Sequence, residues 1–133
     1  MRKKLIHRDT SWDRKMHYSQ AVRVEDTIYV SGQVALDDLG NVVGAGDIAA
    51  QTRQAVRNIE KILKSEGATL SDIVKITSFL TRRNSGMVTA YDDAMGEFFP
   101  NNCPASTLVE VKSLVLRGLL VEIESVAVVG CGS

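Results

Sequence analysis

The sequence lacks a net charge: Lys and Arg number 16, and so do Asp and Glu. Bulk positive potential for nucleic-acid phosphates or an anionic membrane is therefore missing, and little repulsion keeps copies of the chain apart. Aromatic residues make up only 5%, few for a surface that stacks on bases. No apolar run reaches the roughly 18–20 residues of a membrane span. The basic start from Met1 to Asp9 is not followed by the apolar core of a signal peptide, and a cytoplasmic protein is expected. The only two cysteines are Cys103 and Cys131, and the only two histidines, His7 and His17, lie far from both. That pattern excludes a closely spaced metal site and a disulfide framework, leaving two reduced thiols. There is no P-loop and no dinucleotide fingerprint; Gly40, Gly44 and Gly46 follow a turn and read as turn residues. Neither Ser19 nor Ser31 sits in a nucleophile elbow, and His17 lies in a polar stretch, so a Ser-His-Asp hydrolase is a poor fit.

What is present is a globular composition, 44% hydrophobic and 24% charged over 133 residues, the size of one domain. Residues 1–16 read as an N-terminal polar arm with Trp12 as its one large apolar anchor, and residues 17–133 as a single domain. Ala21–Val24 and Thr27–Val34 are β-rich runs around the turn Glu25-Asp26, which reads as a hairpin. Asp47 is an N-cap candidate for a helix from Ile48 to Glu66, with Ile48, Ala55, Ile59, Ile62 and Leu63 on one face and Gly67 as its stop. Ile73–Leu80 reads as a strand. Ser85–Phe98 reads as a second helix, with Val88, Tyr91, Met95 and Phe98 sharing a face. Strands from Ser106 to Lys112 and from Leu120 to Val129 complete the order β-β-α-β-α-β-β. Right-handed crossovers running one way across the sheet put both helices on the same face. The strand residues are nonetheless apolar on both sides, so an α+β fold that associates through its bare sheet face is expected.

The unusual residues are carboxylates within strands. Glu122 and Glu124 lie two apart and share a sheet face, and Glu110 sits between Val109 and Val111. On a free strand these would be solvated. In an oligomer built on this sheet they would be desolvated, which raises a carboxyl pKa and suits acid–base work near neutrality.

Four stretches then meet a known pattern: Tyr18–Val22; Tyr29–Val34; Gln51–Ile59 with Gly67 and Asp72–Lys75; and Pro104–Val111 followed by Val121–Glu124. In order and spacing, from about residue 17 to 129, they resemble the RidA/YjgF family, also called L-PSP or Rid proteins. The resemblance implies a chorismate-mutase-like fold, a mixed sheet with two helices on one face, assembled as a homotrimer through the other face with clefts between subunits. It also implies hydrolysis of reactive enamines and imines, such as 2-aminoacrylate, to a keto compound and ammonia, without cofactor or metal. Carried over residue by residue, the cleft tyrosine falls on Tyr18, the strand serine on Ser31, and the acid that handles the attacking water on Glu124, with backbone groups near Leu108 helping to hold that water.

The departures point to a different substrate. Where the deaminase branch has an arginine that grips the substrate carboxylate, this chain has Ser106, which supplies neither the charge nor the bidentate fork. The family cysteine two residues on is Leu108, and the second-helix asparagine falls on Asp92. A small-molecule substrate more like 2-aminomuconate than 2-aminoacrylate follows; Arg117, Arg82 and Arg83 read first as solvated loop charges, with a substitute carboxylate clamp as the alternative. The alternatives are a catalytically reduced trimer that binds a metabolite or a protein and, third, a ribonuclease; zero net charge and scarce aromatics weigh against RNA. Neither nucleic acid nor membrane is an expected partner.

Overall fold

A computed structural model describes residues 1–82 and 84–132. Six strands and two helices follow the chain: β1 (Lys4–Ile6), β2 (Ala21–Val24), β3 (Thr27–Val34), α1 (Ile48–Lys64), β4 (Ile73–Leu80), α2 (Ser85–Phe98), β5 (Ala105–Glu110) and β6 (Val121–Val128). The strands form one mixed sheet in the order β1-β2-β3-β6-β4-β5, antiparallel except for the β4–β5 edge pair. The α+β class and the expected hairpin, helices and later strands are present. The sequence reading gave residues 1–16 no element, yet β1 pairs with β2 and extends the sheet by one strand. Trp12 packs against Ala35, Leu36 and Leu119, and its Nε1 donates to Asp37 O at 3.0 Å.

Both helices lie on one face, where their apolar stripes are buried against the sheet. Asp47 caps α1 by accepting from Ala50 N at 3.1 Å, and Gly67, at φ 74°, turns the chain away from it. The inward stripes, among them Ile59, Ile62 and Leu63 of α1, Tyr91 of α2, and Ile28, Ile76, Val121 and Ile123 of the strands, form one core. Cross-strand pairing fixes the opposite face. Leu5, Val22, Tyr29 and Val126 are successive partners across β1, β2, β3 and β6, so they lie in a row that no element of the chain covers. Tyr29 and Leu5 are 52% and 51% exposed. Among the described residues no helix is long and apolar enough to cross a membrane.

Two buried amides tie α1 to the loops that frame the sheet. Gln51 Nε2 donates to Gly44 O at 3.1 Å and to Gly118 O at 2.9 Å, while its Oε1 accepts from Leu120 N at 2.8 Å. Asn58 Nδ2 donates to Val34 O at 3.0 Å and Leu36 O at 2.9 Å. Gln51→Ala strands one backbone donor and two acceptors, so urea unfolding should show a loss of about 2 kcal/mol.

Candidate functional site

The site grows from an irregularity in β3. Val30 pairs with Ser125 and Gln33 with Ile123, so Ser31 and Gly32 together face the single residue Glu124. This β-bulge re-aims the chain where two carboxylates of β6 reach the uncovered face. Ser31 Oγ donates to Ser19 O at 2.7 Å, and Ser31 N donates to Gln20 O at 2.9 Å. Gly32 carries no side chain over Glu122, and a Cβ there would overlap Glu122 Oε2, so the carboxyl would have to move.

A buried amide relay holds the tyrosine. Gln33 Nε2 donates to Gln20 Oε1 at 3.0 Å, and Gln20 Nε2 donates to Tyr18 Oη at 3.3 Å and to Asp13 Oδ1 at 3.1 Å. Tyr18 Oη is thereby an acceptor and keeps its own proton to donate. Tyr18, Ser31 and Glu122 line one cavity of about 430 Å³, walled also by Trp12 and Met16 of the N-terminal segment and by Leu116. Glu122 is half-buried there, between Val34 of β3 and Phe79 of β4. Burial pushes its carboxyl above the ordinary range, and the negative charge of Glu124 pushes the same way. The cavity thus combines a proton-sharing carboxyl, a phenol and a serine hydroxyl beside apolar walls.

The expected site residues divide. Tyr18 and Ser31 meet in this cavity. Glu124, to which the resemblance assigned the acid, is exposed opposite Thr77 and lines none of the described cavities; the carboxyl beside Tyr18 and Ser31 is Glu122. Ser106 pairs with Ile76, which puts it on the helix-covered face, where it and Asp92 line a separate cavity of about 240 Å³ beside Tyr91. Tyr91 Oη lies 2.6 Å from Ser78 Oγ, and burial holds the phenol proton on. Leu108 is 40% exposed on the edge strand β5. Arg117 and Arg82 line a third cavity, and Arg83 lies outside the described residues. Among the described residues no three His, Cys, Asp or Glu side chains group as metal ligands. Sequence reasoning missed Gln20 and Gln33 as positioning groups. Their signal was two amides in otherwise β-rich surroundings, both now fully buried.

The family profile described as Endoribonuclease L-PSP matches residues 10–129. The chain belongs to the RidA/YjgF (L-PSP) family. Among its curated relatives, a RutC family protein of Sulfurisphaera tokodaii is 40% identical over 103 residues, covering 77% of this chain and 81% of that protein. The 2-iminobutanoate/2-iminopropanoate deaminase of Mus musculus is 39% identical over 114 residues, covering 85% and 82%. Among solved structures, the Rid family protein YyfA of Yersinia pestis superposes with a TM-score of 0.85 at 36% identity, over 96% of this chain and 100% of that one. RidA of an Antarctic Psychrobacter gives 0.84 at 30% identity, over 95% and 99%.

The direction of the Glu122 shift gives a test. A carboxyl whose folded-state pKa lies above its unfolded value binds more protons when folded, so it costs stability as pH rises through that folded value. In ¹³C carboxyl NMR, Glu122 should titrate above the ordinary glutamate range. Glu124→Gln should bring it down only part of the way, because burial is the larger cause. Thermal melts of Glu122→Gln should match wild type in acid and exceed it above the Glu122 midpoint; lower melting at neutral pH would contradict the assignment.

Proposed function

We propose that this chain is a Rid-type hydrolase that converts an imine or enamine to the corresponding carbonyl compound and ammonia, with Glu122 as its acid–base group. The observation that carries the reading is a half-buried carboxyl of raised pKa sharing one cavity with the Tyr18 and Ser31 hydroxyls. The named activity of the deaminase relatives supports it.

The chemistry needs little more than this. The protonated Glu122 gives its proton to the imine nitrogen, making the carbon electrophilic. The resulting carboxylate takes a proton from water as the water oxygen bonds to that carbon. Glu122, protonated by that water, gives the proton to the carbinolamine nitrogen; the C–N bond breaks, ammonia leaves with the bonding pair, and the carbonyl forms as the hydroxyl proton returns to the Glu122 carboxylate. Tyr18 donates a hydrogen bond and Ser31, whose own proton is engaged by Ser19 O, accepts one; together they orient the substrate.

Two further parts belong to this proposal. The functional unit is a homotrimer assembled through the uncovered sheet face, with the Glu122 cavity opening into a cleft between copies. Ser106 lies on the opposite sheet face, so it meets a substrate in that cleft only if β5 of a neighbouring copy borders it. The substrate is larger than 2-aminoacrylate and nearer to 2-aminomuconate, because Ser106 cannot grip a small carboxylate as a guanidinium does.

Glu122→Gln should lower ammonia release by about 100-fold or more, whereas Glu124→Gln should keep most of it. The reverse ranking would return the acid role to Glu124, and unchanged rates in both would remove the mechanism. Sedimentation equilibrium should give three times the 14.5 kDa chain mass; a monomer would overturn the inter-subunit cleft.

A further inference from the structure

The third cavity carries a charge pattern that the acid–base chemistry does not use. Arg82, Lys112 and Arg117 line one space of about 430 Å³, with Thr81 and Ser113 beside them. Among the described residues no carboxylate forms an ion pair with any of the three. Three like charges bordering one hollow raise its positive potential, which an anion entering it would offset. The chain elsewhere pairs its interior-edge cations readily, as Arg23 with Glu66 and Arg53 with Glu97.

The hollow rests on anchored backbone. Leu114 and Leu119, on either side of Arg117, pack into the Trp12 cluster. Gly118 O is held by Gln51 Nε2 at 2.9 Å, and Thr81 N donates to Leu120 O at 3.1 Å, which ties the end of β4 to the same loop. The backbone beside Arg82 and Arg117 is therefore held in place. Leu116 is a wall of this cavity and also of the Glu122 cavity, so the two spaces adjoin.

We propose that Arg82, Lys112 and Arg117 form an anion subsite that takes the distal carboxylate of a dicarboxylate ligand whose other end lies in the Glu122 cavity. The inference rests on the proposed function only for which end of the ligand reacts. An apolar spacer crosses the Leu116 wall, and the guanidinium forks of Arg82 and Arg117 receive the far carboxylate by paired N–H donors. Selection then comes from the length of the spacer and the second charge, and a short monocarboxylate gains nothing from the subsite.

Calorimetric titration of the intact protein with glutarate, adipate, butyrate and inorganic phosphate tests this. One of the dicarboxylates should bind about tenfold tighter than butyrate, roughly the worth of one charge-assisted hydrogen bond. The advantage should shrink with added salt and disappear in the Arg82→Gln/Arg117→Gln variant. Both positions are exposed, so that variant should keep the wild-type melting temperature. Equal binding of butyrate and both dicarboxylates, or an advantage that survives the double variant, overturns the subsite. Phosphate binding tighter than either dicarboxylate overturns the carboxylate assignment in favour of a phosphoryl group. Ammonia release from a monocarboxylate imine without any dicarboxylate advantage removes this inference and leaves the proposed function standing. A dicarboxylate advantage without turnover of any imine does the opposite.

Discussion

The pairing of β3 with β6 has to absorb one extra residue, and the chemistry of the site depends on how it does so. Ser31 and Gly32 share the single partner Glu124, and the ladder resumes at Gln33 and Ile123. The bulge turns the Ser31 hydroxyl toward Ser19 O and lays the bare backbone of Gly32 against the Glu122 carboxyl. Position, burial and proton affinity of that carboxyl follow together. A regular ladder with a side chain at residue 32 would push the carboxylate toward water, where it would be an ordinary surface acid.

The buried amides act as a frame around this point. Gln33 and Gln20 lie beneath the bulge and pass its position on to Tyr18. On the far side of the core, Asn58 grips the carbonyls of Val34 and Leu36 just beyond β3, and Gln51 grips the loop entering β6. Gln51 and Asn58 are satisfied mainly by backbone, which makes the loop ends part of the core, whereas the side-chain amide of Gln20 bonds only side chains. Helix α1 thus contributes more than apolar cover: it clamps the adjoining ends of the two strands that carry the site, the close of β3 and the entry to β6.

Most of this fold was legible because its elements are long enough to show a period. The hairpin, α2 and β4 appear at the residues their alternation or helical spacing predicts, and α1 ends two residues earlier. The strand β1 was not legible, since Lys4-Leu5-Ile6 is too short to show alternation and forms by pairing with β2. The site was half legible. Tyr18 and Ser31, singled out by the family pattern, line one cavity, but the choice between Glu122 and Glu124 could not be made from β6. Both have the same parity and face the same side, and only the register against a bulge nearly a hundred residues earlier separates them. For the same reason the sequence grouped Ser106 with Glu124, although pairing with Ile76 sends Ser106 through to the helix-covered face.

The zero net charge conceals a separation that matters more than the sum. Glu122 and Glu124 stand together on the uncovered sheet face, while Arg82, Lys112 and Arg117 gather at the end of β4 and in the β5–β6 loop. A count of 16 against 16 is blind to this division. At distances within about 10 Å, the screening length at moderate salt, such clusters set the local potential whatever the total. The raised carboxyl of Glu122 also fits this division. The positive charge lies at the neighbouring cavity and in ion pairs elsewhere, and among the described residues none forms a salt bridge with Glu122. An arginine placed directly against Glu122 would hold it ionised and end its use as a proton donor. With the cations one cavity away, across Leu116, the proposed anion subsite and the proposed proton transfer from Glu122 do not oppose each other.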